Sequence, residues 1–160
     1  MPDSPTKVSG WNPDLAVVYR KAADYCAQQE RCFYEVLQKL QKWGAGKEET
    51  EKVIRRLSDE GFISEQRFAV AFARGKFHNL HWGKIRITIE LKRKKISNGL
   101  INNAISQIDE TEYLETISKL LAKKARELKE NTIENRFKAM RFVASKGFEP
   151  ELIRKIMSED

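Results

Sequence analysis

Proline is nearly absent from the body of this chain. Of the four prolines in 160 residues, three (Pro2, Pro5, Pro13) stand near the start and the fourth is Pro150. Nothing therefore breaks a run of helices between Pro13 and Pro150. Glycine is sparse as well, at eight residues, and the two scarcities favour an all-α chain. Cysteine is limited to Cys26 and Cys32, with no second pair and no histidine near them, which fits neither a disulfide framework nor a zinc site and points to a reducing cytosol. Cys26 reads as a small apolar residue on a helix face rather than a reactive thiol. No window approaches the ~18 consecutive apolar residues of a spanning helix, and the opening MPDSPTKVSG lacks the apolar core of a secretory signal, so the expectation is a cytoplasmic protein without membrane association. The chain has no G-x-x-x-x-G-K-(S/T), no H-E-x-x-H and no C-x-x-C. Its two histidines, His78 and His81, stand beside lysines in the sequence rather than carboxylates. Catalysis, a metal site and a cofactor are all expected to be absent.

What the chain has is charge. Charged residues make up 33% of it and apolar residues 41%, a balance that suits exposed helices with many solvated side chains. The net charge of +7 is unevenly placed. Residues 1–63 carry ten basic and ten acidic side chains, and residues 96–160 carry eleven of each. Between them lie nine cations, Arg67, Arg74, Lys76, Lys84, Arg86, Lys92, Arg93, Lys94 and Lys95, against Glu65 and Glu90 alone. Mixed charge is the ordinary solvated surface, and the flanks have it; the centre does not. Clustered positive charge raises the local potential and favours a polyanionic or acidic partner, whether through phosphate or carboxylate.

The chain also repeats. Leu40, Leu91 and Val143 each precede Ala45, Ile96 and Phe148 by five residues, and eight or nine positions further on come Val53/Ile54, Ala104/Ile105 and Ile156/Met157. The interval between copies is about 51 to 52 residues, the size of a supersecondary unit rather than a domain. Apolar residues follow helical spacing within each copy: Leu15, Val18, Tyr19, Ala22, Tyr25 and Cys26; Phe33, Val36, Leu37 and Leu40; Val53, Ile54 and Leu57. Tyr113, Leu114, Ile117, Leu120, Leu121 and Leu128 form a later stripe, followed by Ile133, Phe137, Met140 and Ala144 and by Leu152, Ile153, Ile156 and Met157. All of these are assigned to core. Three helices per copy is the natural count. Asn12-Pro13 and Glu149-Pro150 read as helix starts. Asn131 with Glu134, and Asp109 with Glu112, have capping-box spacing. Gly44, Gly61 and Gly147 read as helix stops.

One segment disagrees. Ile85, Ile87, Ile89 and Leu91 alternate with Arg86, Thr88 and Glu90, which is the period of a half-buried strand. A lone strand would leave its backbone unpaired, and the repeat equates this segment with the helices of Leu40 and Val143, so it is read as helix. Both of its sides would then be apolar, which implies neighbours clasping it from more than one side.

The central unit opens with Ser64 as a cap on a helix whose apolar face is Phe68, Ala69, Phe72 and Ala73. Arg67, Arg74, His78 and His81 fall along one polar stripe. A turn through Asn79, Leu80, His81, Trp82 and Gly83 leads to Lys84, Arg86 and the LKRKK cluster. The run FISEQRFAVAFARGKFHNLHWGKIRITIELKRKKI resembles the central signature of the RecX family of recombination regulators, with Phe68-Ala69, Arg74, Gly83, Glu90-Leu91, Lys94 and Ile96 in the recurring positions. VLQKLQKWG and KVIRRLSDEGFI upstream, and FVASKGFEPELIRKIM downstream, extend the likeness to about 130 residues. Two positions depart from the pattern. Ser64 stands where aspartate is typical and keeps the cap; Lys95 stands where the exit glycine is typical, so the turn there is made without glycine's freedom.

The resemblance implies an all-α fold of three tandem three-helix repeats in an elongated, curved helical array. Residues 1–11 would form a flexible tail, 12–62 the first repeat, 63–109 the basic second and 110–160 the third. It further implies a monomeric partner of the RecA nucleoprotein filament that restrains RecA ATP hydrolysis and strand exchange in homologous recombination, DNA repair and the SOS response. The nine central cations would form the contact surface, with His78, His81 and Trp82 as further contacts and with direct DNA contact accompanying filament binding. The alternative is a helical protein acting directly on DNA, in which Trp82 stacks on a base; otherwise Trp82 packs at the helix junction. No helix with Asn, Gln and Arg in its first turn stands out as a recognition helix.

Overall fold

The computed structural model describes residues 13–159. Among these there are nine helices and no strand: α1 (Pro13–Gln28), α2 (Phe33–Lys42), α3 (Lys47–Asp59), α4 (Glu65–Leu80), α5 (Lys84–Arg93), α6 (Asn98–Ser106), α7 (Glu110–Leu128), α8 (Ile133–Ser145) and α9 (Pro150–Glu159). The expected tail and the Asn12 cap lie outside the described residues. The chain divides into two compact units, one ending at Phe68 and one beginning at Ala69.

In the first unit α1, α2 and α3 pack on one another pairwise. Leu15, Ala22, Cys26, Val36, Leu40, Val53, Leu57 and Ile63 form their common core, with Tyr25, Trp43 and Ile54 against it. Apart from Ile63 and Trp43 these lie on the stripes expected from spacing, although Phe33 of the α2 stripe is 39% exposed rather than core; removing their apolar surface from water is the main force holding the three helices together. Burial pushes the Cys26 thiol up to about 11, so it behaves as an apolar side chain. The Glu65 carboxylate accepts the Phe33 amide at the start of α2, 2.6 Å away.

The repeat is visible in the backbone. Leu40, Leu91 and Val143 are all fully buried. Four residues after each, the chain turns through a left-handed residue: Gly44 at φ 82°, Lys95 at 63° and Gly147 at 97°. In the first two copies the next amide closes on the anchor's carbonyl, Ala45 to Leu40 at 3.0 Å and Ile96 to Leu91 at 3.2 Å, the bond that terminates a helix in the Schellman manner. Lys95 therefore holds, with a side chain, the conformation that glycine takes in the other copies.

In the second unit α7, α8 and α9 pack pairwise and α5 lies on α6. Phe77, Tyr113 and Phe148 stack in succession, their centroids 5.6 and 5.2 Å apart. The segment with strand-like alternation is helix α5, but it is not clasped from several sides: Ile87 and Leu91 are fully buried, whereas Ile85 and Ile89 are 42% and 46% exposed. Helical spacing puts the two pairs on different faces, and the face of Ile85 and Ile89 is left largely open to solvent. The stripe expected on α8 is also displaced. Ala139 and Val143 are its buried residues, while Ile133 and Phe137 face outward. The start of that helix is capped by Thr132, whose hydroxyl accepts the Asn135 amide, rather than by Asn131 with Glu134. Asp109 caps α7 as expected, accepting the Glu112 amide at 2.9 Å, and α9 begins at Pro150.

Candidate functional site

The basic segment begins on α4. Ser64 caps that helix, accepting the Arg67 amide at 3.2 Å. Arg67 itself belongs to the first unit and is engaged there: its guanidinium reaches Glu30 at 3.1 Å and the Gly61 carbonyl at 2.7 Å. The remaining central cations belong to the second unit. Helix α4 continues to Leu80, further than expected, so the turn consists of His81, Trp82 and Gly83 alone. His81 adopts φ 54° and has left the helix, so it is not on the stripe of Arg74 and His78. His78 does meet a carboxylate, Glu112 at 3.1 Å, which its sequence neighbours gave no sign of.

Helix α5 starts without a side-chain cap, since its N-cap residue is Gly83. The orphan amides of a helix start must then be satisfied otherwise. Here the Gly83 amide donates to the Lys146 carbonyl at 2.8 Å and the Ile85 amide to Gly147 at 3.0 Å. Between them the Lys84 amide donates to the Tyr113 hydroxyl at 3.0 Å. That hydroxyl in turn donates to Glu149. Burial, and then the bond to Glu149, push the Tyr113 phenol far above its ordinary range, so it remains a neutral donor and acceptor. Gly83 is needed for this close approach rather than for turn conformation, because a Cβ there would lie 2.2 Å from Gly147 and Phe148 backbone atoms.

Seven of the eight central cations of the second unit fall into two groups. Lys84 pairs with Glu110 at 3.3 Å and Arg93 with Glu90 at 2.7 Å. Arg74, Lys76, Arg86, Lys92 and Lys95 have no carboxylate partner among the described residues. Two of these five attend Trp82, with the Arg86 guanidinium 4.1 Å and the Lys76 ammonium 5.1 Å from its ring centroid. Phe72 meets the same ring edge-on at 6.2 Å. The half-buried indole is thus packed at the helix junction, and contacts of this kind contribute about 0.5–1 kcal/mol each at exposed sites. Lys92 and Arg93 lie in the last turn of α5, where a cation also offsets the carbonyl end of the helix dipole. Arg74, in the middle of α4, has neither an aromatic contact among the described residues nor a place at a helix end. Among the described residues, no group of three or more His, Cys, Asp or Glu could hold a metal ion. No helix among the described residues is long and apolar enough to cross a membrane.

Residues 64–105 match the family model described as RecX, second three-helix domain, and residues 110–157 match RecX, third three-helix domain. A protein of Pseudomonas fluorescens named Regulatory protein RecX is 30% identical over 152 residues, covering 90% of this chain and 92% of its own. The chain belongs to the RecX family. Another Regulatory protein RecX, from Pseudomonas entomophila, is 29% identical over 141 residues, covering 88% of this chain and 90% of its own. The crystal structure of RecX from Lactobacillus salivarius superposes with a TM-score of 0.82 at 23% identity, over 91% of this chain and 96% of that one, a likeness of fold. The relatives are regulatory proteins by name, and all nine central cations fall inside the matched second RecX domain.

Sequence reasoning missed Phe77, and it assigned Tyr113 to the core without the role that its hydroxyl plays. Phe77 and Tyr113 are fully buried, and Tyr113 carries the hydroxyl on which the start of α5 rests. Glu149 was read only as a helix start, yet its carboxylate accepts from that hydroxyl. The phenol's partners are 29 and 36 positions away in sequence, so no local pattern signals them.

Proposed function

We propose that this chain binds the RecA nucleoprotein filament and restrains RecA ATP hydrolysis and strand exchange, acting in recombination, DNA repair and the SOS response without chemistry of its own. One observation carries the reading: Arg74, Lys76, Arg86, Lys92 and Lys95, in the second RecX domain, have no carboxylate partner among the described residues. Unneutralised cations concentrate potential where a filament of DNA and protein presents phosphates and acidic side chains. Lys84, Arg93 and Lys94 add to the same field, with Trp82, His78 and His81 as neighbouring contacts. Arg67, held by Glu30, is a weaker candidate. The protein would work in the cytoplasm, as a monomer and without a cofactor.

The test is RecA-dependent ATP hydrolysis on single-stranded DNA, with and without this protein, at two salt concentrations, beside its binding to naked DNA. The expected result is inhibition that weakens with salt and is lost when Arg74, Arg86 and Arg93 are all replaced by glutamate, at unchanged helical content. Retained inhibition in that variant removes the central unit from the mechanism. Binding to naked DNA as tight as to the filament would favour a protein acting directly on DNA.

A further inference from the structure

A second surface lies away from the cations discussed above, on α8 and α9. Sequence spacing assigned Ile133 and Phe137 to the core, but they are 75% and 54% exposed. With Met140 and Met157 they line an open groove of about 250 Å³ whose remaining walls are Arg136, Arg154 and Ser158. The lining is apolar side chains and two arginines, without a carboxylate. Neither arginine has an ion-pair partner among the described residues; the carboxylate on the same turn, Glu134, is taken by Lys138 at 3.5 Å. The adjoining hollow, which shares Arg136 and Met157, adds Arg126 and Lys129 against Glu130 alone.

Solvent has no use for this arrangement. Two large apolar side chains one helical turn apart, left in water, forgo the stabilisation that burial would bring, about 1.5–3 kcal/mol for each when fully covered. Methionine adapts its shape to different apolar partners. Guanidinium groups at the edge of an apolar floor select for carboxylate, since they bind it through paired N–H donors and reject a basic occupant. We infer that the α8–α9 groove is a docking site for an acidic, amphipathic segment of a partner protein, its apolar residues seated on Ile133, Phe137, Met140 and Met157 and its carboxylates on Arg136 and Arg154. The occupant sits one to two turns of helix along the floor, reading positions spaced as on a helix face. This site is separate from the basic α4–α5 surface and recognises side chains of a protein rather than a phosphate backbone.

The test uses the full chain and a fluorescein-labelled synthetic peptide with leucine and phenylalanine at helical spacing and aspartate and glutamate between them. A second peptide replaces the acids by asparagine and glutamine. Fluorescence anisotropy should show binding of the acidic peptide only. Phe137→Ser and the double variant Arg136→Glu with Arg154→Glu should each weaken it by about tenfold or more, as loss of a central anchor or of desolvated charge pairs does. These side chains are exposed, so the variants should keep the native helical signal; Arg74→Glu should leave peptide binding unchanged. The inference is overturned if the acidic peptide does not bind, if the neutral peptide binds equally, or if the groove variants bind like the parent. It is also overturned if sedimentation shows the parent self-associating and Phe137→Ser abolishing that association, for the occupant would then be a second copy.

Discussion

Gly83 and Gly147 touch backbone to backbone: a Cβ built on Gly83 would lie 2.2 Å from the carbonyl of Gly147, and one built on Gly147 would lie 2.3 Å from the Cβ of Arg86. The two glycines let the start of α5 rest on the turn between α8 and α9, and through that contact the third RecX domain sets the position of Arg86.

Gly83→Ala should therefore destabilise the protein severely. The overlap is with main chain, which cannot rotate away as a side-chain tip can. Displacing α5 would break the amide bonds to Lys146 and Gly147. Overpacking alone costs about 1–3 kcal/mol, and each buried amide left without an acceptor about 1–3 kcal/mol more. A fall of at least about 3 kcal/mol in urea unfolding is expected, while Gly99→Ala, where nothing lies within 4 Å of the built Cβ, should change little. Equal effects at the two positions would show that the backbone contact is unimportant.

How much of this was legible in the sequence follows from the range of each signal. Leu40, Leu91 and Val143 gave away the repeat because equivalent burial recurs at a fixed interval, and the same anchors correctly overruled the strand-like spacing of Ile85 to Leu91. Ile133 and Phe137 misled for a physical reason: apolar spacing shows that a helix has an apolar face, not that a neighbour covers it. At the candidate site the cations were countable, but their partners were not. Glu110, Glu112 and Glu149 approach Lys84, His78 and Tyr113 only through tertiary packing, so sequence could not say which positive charges remain unneutralised.

Alkaline pH should expose the phenol bonds. Burial, and then the bond to Glu60, push Tyr19 up to about 12, and Tyr113 shifts in the same direction. In the unfolded chain tyrosine ionises near about 10, so the unfolded state releases its proton first. The stability these groups contribute is complete below about pH 10 and is lost as pH rises through the folded values. Urea midpoints measured from pH 9 to 12 should fall for the parent protein and fall less steeply for Tyr19→Phe and for Tyr113→Phe. Parallel curves for all three proteins would mean that neither phenol is held as described.

Lys95 offers a stabilising substitution. Its φ of 63° is shared with Gly44 and Gly147 in the other repeats, which take it as glycine. A side chain in the left-handed region costs about 1–2 kcal/mol, and glycine gives back part of that gain, about 0.4–1 kcal/mol, through its freer unfolded chain. Lys95→Gly should raise stability by about 0.5–1 kcal/mol. Because it also removes an unneutralised cation, the proposed inhibition of RecA should weaken and become less sensitive to salt. Stabilisation with unaltered inhibition would exclude Lys95 from the contact surface.

Glu90 provides the sharpest test of whether unneutralised charge is what matters. It is one of two acids in the central segment and holds Arg93 at 2.7 Å, in a pair whose arginine side chain is 71% exposed. Pairs this open contribute about 0–1 kcal/mol to stability, so Glu90→Gln should fold normally. It frees Arg93 and removes a charge that repels a polyanion. The proposed filament binding should tighten at low salt, and the gain should shrink as salt screens it. The double variant Glu90→Gln with Arg93→Gln should lose that part of the gain due to Arg93. If Glu90→Gln instead weakens binding at every salt concentration, the carboxylate is positioning Arg93 for a directed contact, and geometry rather than local potential governs the surface.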